Sequence, residues 1–242
     1  MAKIGVQLWV VKEMLKQDPE ATMKMVANFG YEGVEYSGMT DTPALTFRLL
    51  QNKYNLVCCG IHYGLTEWKK GIGPLMEYNY ILGNSDLACH WIDAPDRGDK
   101  DKYLSYAALF NKNAPLLKAN GFSFYYHNHD YEFKEVFDGQ RAMDILLNNT
   151  DRAFMGMELH ISALPPFGID VVEYIKKLGG RLTKLHIPVL DKEGNIILEQ
   201  AVIDAAKATG CLWYIVEQAV SDAPGCASLG RSVGILRDML NT

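Results

Sequence analysis

The sequence predicts an α/β chain of the (β/α)8 (TIM) barrel class, one domain over residues 1–242. Three features carry that prediction. Short apolar, β-rich segments recur eight times, about thirty residues apart, which is the length of one strand–helix unit. Helical patterns lie between them, the alternation of a parallel sheet covered by helices. The segment leaving the first strand, QLWVVKEM, is not the Gly-rich phosphate loop that an open doubly wound sheet usually carries there.

The strand segments are, in order, KIGVQL from Lys3, YEGVEY from Tyr31, LVCCGIH from Leu56 and LACHWI from Leu87. FSFYYHNH from Phe122, FMGMEL from Phe154, LTKLHIPV from Leu182 and LWYIVEQ from Leu212 complete the set. Helical patterns between them include PEATMKMVANFG, DKYLSYAALFNKNAPLLKANG, DVVEYIKKLGG and EQAVIDAAKATG. Most end in the glycine expected of a C-terminal cap: Gly30, Gly121, Gly179 and Gly210. No linker, charge block or low-complexity stretch divides the chain.

Composition narrows the function classes. With 48% hydrophobic residues the chain can bury a large core. Its 24 Lys and Arg against 29 Asp and Glu give a net charge of −5, which argues against a broad nucleic-acid footprint. No stretch approaches the roughly 18 apolar residues of a membrane span, and the N-terminal apolar run is too short for a signal peptide. Five cysteines, without a C-x-x-C pair, read as reduced thiols, so a cytoplasmic location is expected.

In an eight-stranded barrel the chemistry sits at the C-terminal ends of the strands. Windows of about four residues there cover roughly 32 positions, in which six randomly placed histidines would appear about once. All six are there: His62, His90, His127, His129, His160 and His186. Any one of them alone reads more simply as a hydrogen-bonded core or loop histidine; the set reads as a cleft. Strand alternation puts His127 and His129 on one face with Ser123 and Tyr125, His160 with Glu158, His186 with Lys184, and Glu217 with Trp213 and Ile215. Four consecutive strands therefore each aim a donor at the barrel mouth: His127, His160, His186 and Glu217. Three imidazoles and a carboxylate suit a divalent transition ion such as Zn, Mn, Fe, Co or Ni, and suit Mg or Ca poorly.

Several motifs resemble the xylose isomerase-like TIM barrels, the group also described as sugar phosphate isomerases/epimerases. They are YHNHDYEF followed by DG, GIDVVEYIKKLGGR, the strand-end histidine of KLHIP, and AAKATGCLWYIVEQ, with GVQLW and YEGVEYSG earlier in the chain. The resemblance implies one divalent metal (Mn, Zn, Co or Fe) held by His127, His160, His186 and Glu217. It also implies a small carbohydrate substrate, no nucleic acid or membrane partner, and a homo-oligomer or a small partner subunit. Two departures stand out. Relatives usually read E-L-D where this chain has Glu158-Leu159-His160, and H-x-K-D where it has His186-Ile187-Pro188-Val189. The first keeps a ligand but removes a negative charge; the second removes polar groups near the substrate.

The implied reaction moves a proton between carbons flanking a sugar carbonyl. Glu217, Glu158 and His129 are the expected acid–base groups. His62, His90, Trp9, Glu35 and Lys184 are the expected substrate-side residues, with Trp91 and Tyr63 as further stacking surfaces. Glu158 and Lys184, one inward step below His160 and His186, are expected to form a buried ion pair. Asp93, Asp96 and Arg97 read as a solvated loop, and Glu132 as structural. Three rival readings remain. An endonuclease IV-type repair enzyme needs a D-x-H pair after the seventh strand, which VLDKEGN lacks. A lyase cleaving 3-oxo-glycosides uses the same proton abstraction, and a non-catalytic sugar-binding barrel needs none.

Overall fold

The computed structural model describes residues 2–38, 42–219 and 226–242. All eight predicted segments are strands: β1 Lys3–Gln7, β2 Gly33–Ser37, β3 Val57–Gly64, β4 Asp86–Trp91, β5 Ser123–His127, β6 Met155–His160, β7 Leu182–Ile187 and β8 Trp213–Val216. Each pairs in parallel with the next, and β8 pairs with β1 to close the barrel. Parallel neighbours need long crossovers, and each one contains a helix.

Local chemistry sets where those helices start and stop. Asp18 accepts a hydrogen bond from the Ala21 amide and Pro19 opens the helix Pro19–Phe29, which ends on left-handed Gly30. Asp170 caps Val171–Leu178 in the same way, and Gly179 and Gly210 close their helices as expected. The helix Lys100–Ala119 differs. Its cap is Asn120, and Gly121 follows with φ +81°. The remaining crossovers hold Ala44–Tyr54, Gly73–Leu82 and Ala142–Asn148, and Ala227–Asn241 follows β8. Among the described residues no helix is long and apolar enough to cross a membrane.

The main apolar core lies between sheet and helices, where outward-facing Val6, Val34, Leu159, Leu185 and Val216 are fully buried. The inside of the barrel is separate and layered. Cys59, Trp213 and Ile215 form its apolar floor. The Trp213 ring takes the room of a side chain at Gly33, where a Cβ would stand 2.6 Å from it. Above the floor sit charged groups, and Gly60 leaves room for them: a Cβ there would lie 2.9 Å from Lys184 Nζ and press on Glu35. Two slips in strand register aim these groups. Between β2 and β3, Val34 pairs Cys58 but Glu35 pairs Gly60, so Cys59 is extra. The slip lets Cys59 and His62 both face inward, which strict alternation forbids. A similar slip beside Glu158 skips Thr183 and brings Lys184 opposite it.

Candidate active site

The upper end of the barrel gathers every histidine of the chain. His62 lies two residues before the end of β3, His90 lies on β4, His127 ends β5 with His129 just beyond, His160 ends β6 and His186 is on β7. Ring centroids are 4.5 Å apart for His62–His127 and for His127–His186, and 5.5 Å for His127–His160. Glu217 follows β8 and joins them: its Oε2 lies 2.8 Å from His186 Nδ1 and 3.4 Å from His160 Nδ1.

Beneath the histidines is a layer of buried charge. Lys184 Nζ is 3.8 Å from Glu158 Oε1 and 3.7 Å from Asp86 Oδ2, and it donates to the Cys59 carbonyl. The ion pair expected between Lys184 and Glu158 therefore forms, with Asp86 as a second anion that sequence reasoning did not name. Glu35 accepts from Gln7 Nε2 at 2.8 Å, and its Oε2 stands 2.7 Å from His186 Nε2 and 3.0 Å from His62 Nε2. Glu158 Oε2 is 2.7 Å from His62 Nε2.

Four expectations change in consequence. Glu35 and Glu158 are 0% exposed and Lys184 2%, so none of them reaches a substrate in the cleft. Glu35, Lys184 and Glu158, expected at the substrate or in the chemistry, therefore lie beneath the cleft and do not line it. Tyr63 is core as well: it is buried, and its hydroxyl accepts from Asn79 Nδ2. The loop after β4 is exposed at Asp93, in keeping with the solvated loop expected, and it is also braced. Asp93 accepts from Trp91 Nε1 and Thr66, Lys69 pairs with Asp96, and the Arg97 guanidinium stacks on Tyr131 at 3.5 Å.

The cleft above has a volume of about 400 Å³ and is walled by Trp9, Trp91, His90, His129, Ser37 and Glu217, with His62, His127 and Gln7 at its floor. Trp9 is 53% and Trp91 39% exposed, so both present ring surface to solvent. A second lobe of about 470 Å³ shares His62, His90 and Trp91 and adds Thr66, Glu67 and Asp93.

Burial and carboxylates divide the imidazoles into two kinds. Burial lowers His90 to about 4 and His129 to about 3. It also holds His127 well below the ordinary range, reinforced by His186 and His62, and lowers His160 despite Glu217. His62 goes the other way: burial disfavours its charge, but Glu35 and Glu158 together outweigh that and raise it to about 9. His186 is raised well above its usual value against the same burial by the same two carboxylates, with help from Glu217. Burial alone would raise Glu158 and Glu217, yet neighbouring histidines, His186 foremost, hold both well below the carboxylate range. Neutral imidazoles, imidazolium ions and carboxylates thus stand side by side at neutral pH.

Glu132 is structural, as expected. Fully buried, it accepts from the Tyr126 hydroxyl at 2.7 Å and from the His129 amide at 2.9 Å, fixing the loop that carries His129. Burial raises its carboxyl from 4.5 to about 7, the Tyr126 hydroxyl opposing. A raised folded-state value means that its stabilising contribution is complete below about 4.5 and lost as pH rises through about 7. Urea unfolding should therefore show a decline of about 2–3 kcal/mol over that window, and Glu132→Gln should flatten it. An unchanged slope in the variant would assign the pH dependence elsewhere.

The donors fit a metal ion. His127 Nδ1, His160 Nδ1, His186 Nε2 and Glu158 Oε1 are buried with no aligned hydrogen bond, only charge contacts, and an ion would ligate them. Two groups have ligand atoms within 4.8 Å of one another: His62, His127, Glu158 and His186, and His127, His160 and Glu217. The quartet expected from the sequence is thus divided between two groups that share His127. Nitrogen-rich sets of this kind suit Zn, Co or Fe.

Fold and site together define a closed (β/α)8 barrel with a histidine–carboxylate centre at its strand ends. The sequence matches no protein-family model and no curated protein. Solved structures do match. A sugar phosphate isomerase/epimerase from Parabacteroides distasonis ATCC 8503 superposes with a TM-score of 0.86 at 19% identity, covering 98% of this chain and 94% of that one. Another sugar phosphate isomerase/epimerase from the same organism gives 0.83 at 20% identity, covering 98% of each chain. An L-ribulose 3-epimerase gives 0.77 at 15% identity, covering 100% of this chain and 95% of that one. The likeness establishes the fold, which is that of the sugar phosphate isomerases/epimerases and of a xylose isomerase-like TIM barrel.

Proposed function

We propose that this chain is a sugar isomerase or epimerase that moves a proton at the carbon next to a carbonyl. One observation carries the reading: the tryptophan-walled cleft ends on a carboxylate, Glu217, held ionised among imidazoles of which four are neutral. Glu217 takes the proton from the substrate carbon, and the His186 contact at 2.8 Å fixes its direction. Its depressed basicity demands an acidified carbon, and a divalent ion, if held among His127, His160, His186 and the neighbouring carboxylates, would supply the positive charge for it. His90 and His129, kept neutral by burial, orient and hydrogen-bond substrate oxygens. Trp9 and Trp91 pack the apolar faces of the sugar and exclude water. Returning that proton from Glu217 to the neighbouring carbon gives an isomer, whereas an epimer requires a second donor to protonate the same carbon from the opposite face.

The test is isotope exchange. Unphosphorylated ketopentoses and ketohexoses, and then ketose phosphates, are incubated with the metal-reconstituted protein in D2O and followed by NMR. Deuterium entering next to the carbonyl, with a new sugar appearing, is the expected result. Binding without exchange would leave a sugar-binding barrel, and release of the aglycone from a 3-oxo-glycoside would make it a lyase. Trp9→Ala and Trp91→Ala should each raise KM about 2- to 10-fold, from ~0.5–1.5 kcal/mol of lost ring contact, with kcat little changed. A fall in kcat alone would remove both rings from substrate binding.

A further inference from the structure

We infer that the divalent ion of this barrel sits one layer deeper than the strand-end quartet, held by His62, His127, His186 and Glu158. Spacing is the first argument. Ligands about 2.1 Å from a tetrahedral ion lie about 3.4 Å from one another. Glu158 Oε2 stands 2.7 Å from His62 Nε2 and 3.4 Å from His127 Nδ1, and its Oε1 stands 3.6 Å from His186 Nε2, so the two oxygens of the carboxylate between them span that figure. Glu35 Oε2 reaches the same His62 and His186 nitrogens, which makes it the available fifth donor.

Burial is the second. His62 is 3% exposed, His127 1%, and His186 and Glu158 0%. His127 Nδ1, His186 Nε2 and Glu158 Oε1 make no aligned hydrogen bond there, only the charge contacts to Glu158, Glu35 and Lys184, so the deeper group holds three polar atoms that one ion would ligate together. The upper group is wetter, with the side chains of His160 and Glu217 21% and 20% exposed.

An imidazole binds a metal only when neutral, so the ion would take the place of the protons that His62 and His186 hold without it; charge and support then agree. His160 stands where the resemblance expects an aspartate, so the strand-end set has lost an anion, while Glu158, two residues back on the same strand face, supplies one among three imidazoles. A metal-bound histidine usually gives its other ring nitrogen to a carboxylate. His186 does this: its Nδ1 faces Glu217 Oε2 at 2.8 Å. Glu217 is then an orienting partner left free for the substrate, rather than a ligand. His62 and His127 line the cleft floor, so an ion between them faces the substrate chamber.

The experiment reads metal and not turnover. The chelator-stripped full chain is titrated with Co²⁺, followed by visible absorption, with stoichiometry from elemental mass spectrometry and folding from circular dichroism. About one ion per chain is expected for the wild type. His62→Ala and Glu158→Gln should each weaken binding by more than about 100-fold, beyond the ~10–100-fold cost of losing a supporting residue. His160→Ala should stay within about 3-fold, on the same principle that a non-ligand matters less. If Glu158→Gln does not fold, His62→Ala against His160→Ala decides alone. Loss of Co²⁺ in His160→Ala with retention in His62→Ala overturns the assignment, and so does a folded wild type that binds no Co²⁺, since its buried charges then balance one another. Sugar exchange plays no part, so failure of the isomerase reading and failure of this site remain separate results.

Discussion

Lys184→Met removes about 3–5 kcal/mol of folding stability at neutral pH, the cost of taking one partner from a buried charge set. Lys184 is the cation beneath the site: it lies 3.8 Å from Glu158, 3.7 Å from Asp86 and against the Cys59 carbonyl. Its charge is held despite complete burial because these carboxylates keep its proton on well above the usual lysine range. Methionine fills nearly the same volume, so the effect isolates charge from packing. Urea unfolding followed by circular dichroism measures it. A second variant, Lys184→Met/Glu158→Gln, should recover part of the loss, and the double-mutant cycle gives the coupling between the two. A loss under about 1 kcal/mol, on the scale of an exposed pair, would mean that the carboxylates find compensation without Lys184.

Glu217→Gln should reduce deuterium exchange by about 10²–10⁴-fold, the usual contribution of a positioned proton acceptor. Glutamine keeps the shape and an oxygen toward His186, but it cannot take a proton. The sugar's KM should move much less than kcat, because Trp9, Trp91 and the neutral histidines remain in place. Exchange surviving within about 10-fold would transfer the base role to a neutral imidazole, with His129 the first candidate on the cleft wall.

Much of this protein was legible from residue order. Eight β-rich segments became eight strands because short apolar runs between helical patterns have few other ways to bury themselves. Strand-end position alone brought His62, His90, His127, His129, His160 and His186 to one end of the barrel, since a parallel barrel places every strand end on one face. The Lys184–Glu158 pair was also readable, from two charges at the same depth on adjacent strands. Glu35, Gln7 and Asp86 were harder. Each is one polar residue in a strand, and nothing in its neighbours distinguishes a cleft residue from one buried below.

What the sequence determined, then, is the set of groups and the end of the barrel where they meet, because alternation and strand ends are local properties of the chain. Which groups line the cleft and which stand beneath them was decided only by the closed barrel. The register slips beside Glu35 and Glu158 shift side chains between neighbouring strands, and no local pattern records them. The division of the expected quartet into two donor groups has the same origin. A separation of a few ångströms across the barrel depends on strand tilt, register and the small residues, Gly33 and Gly60, that let opposite walls approach.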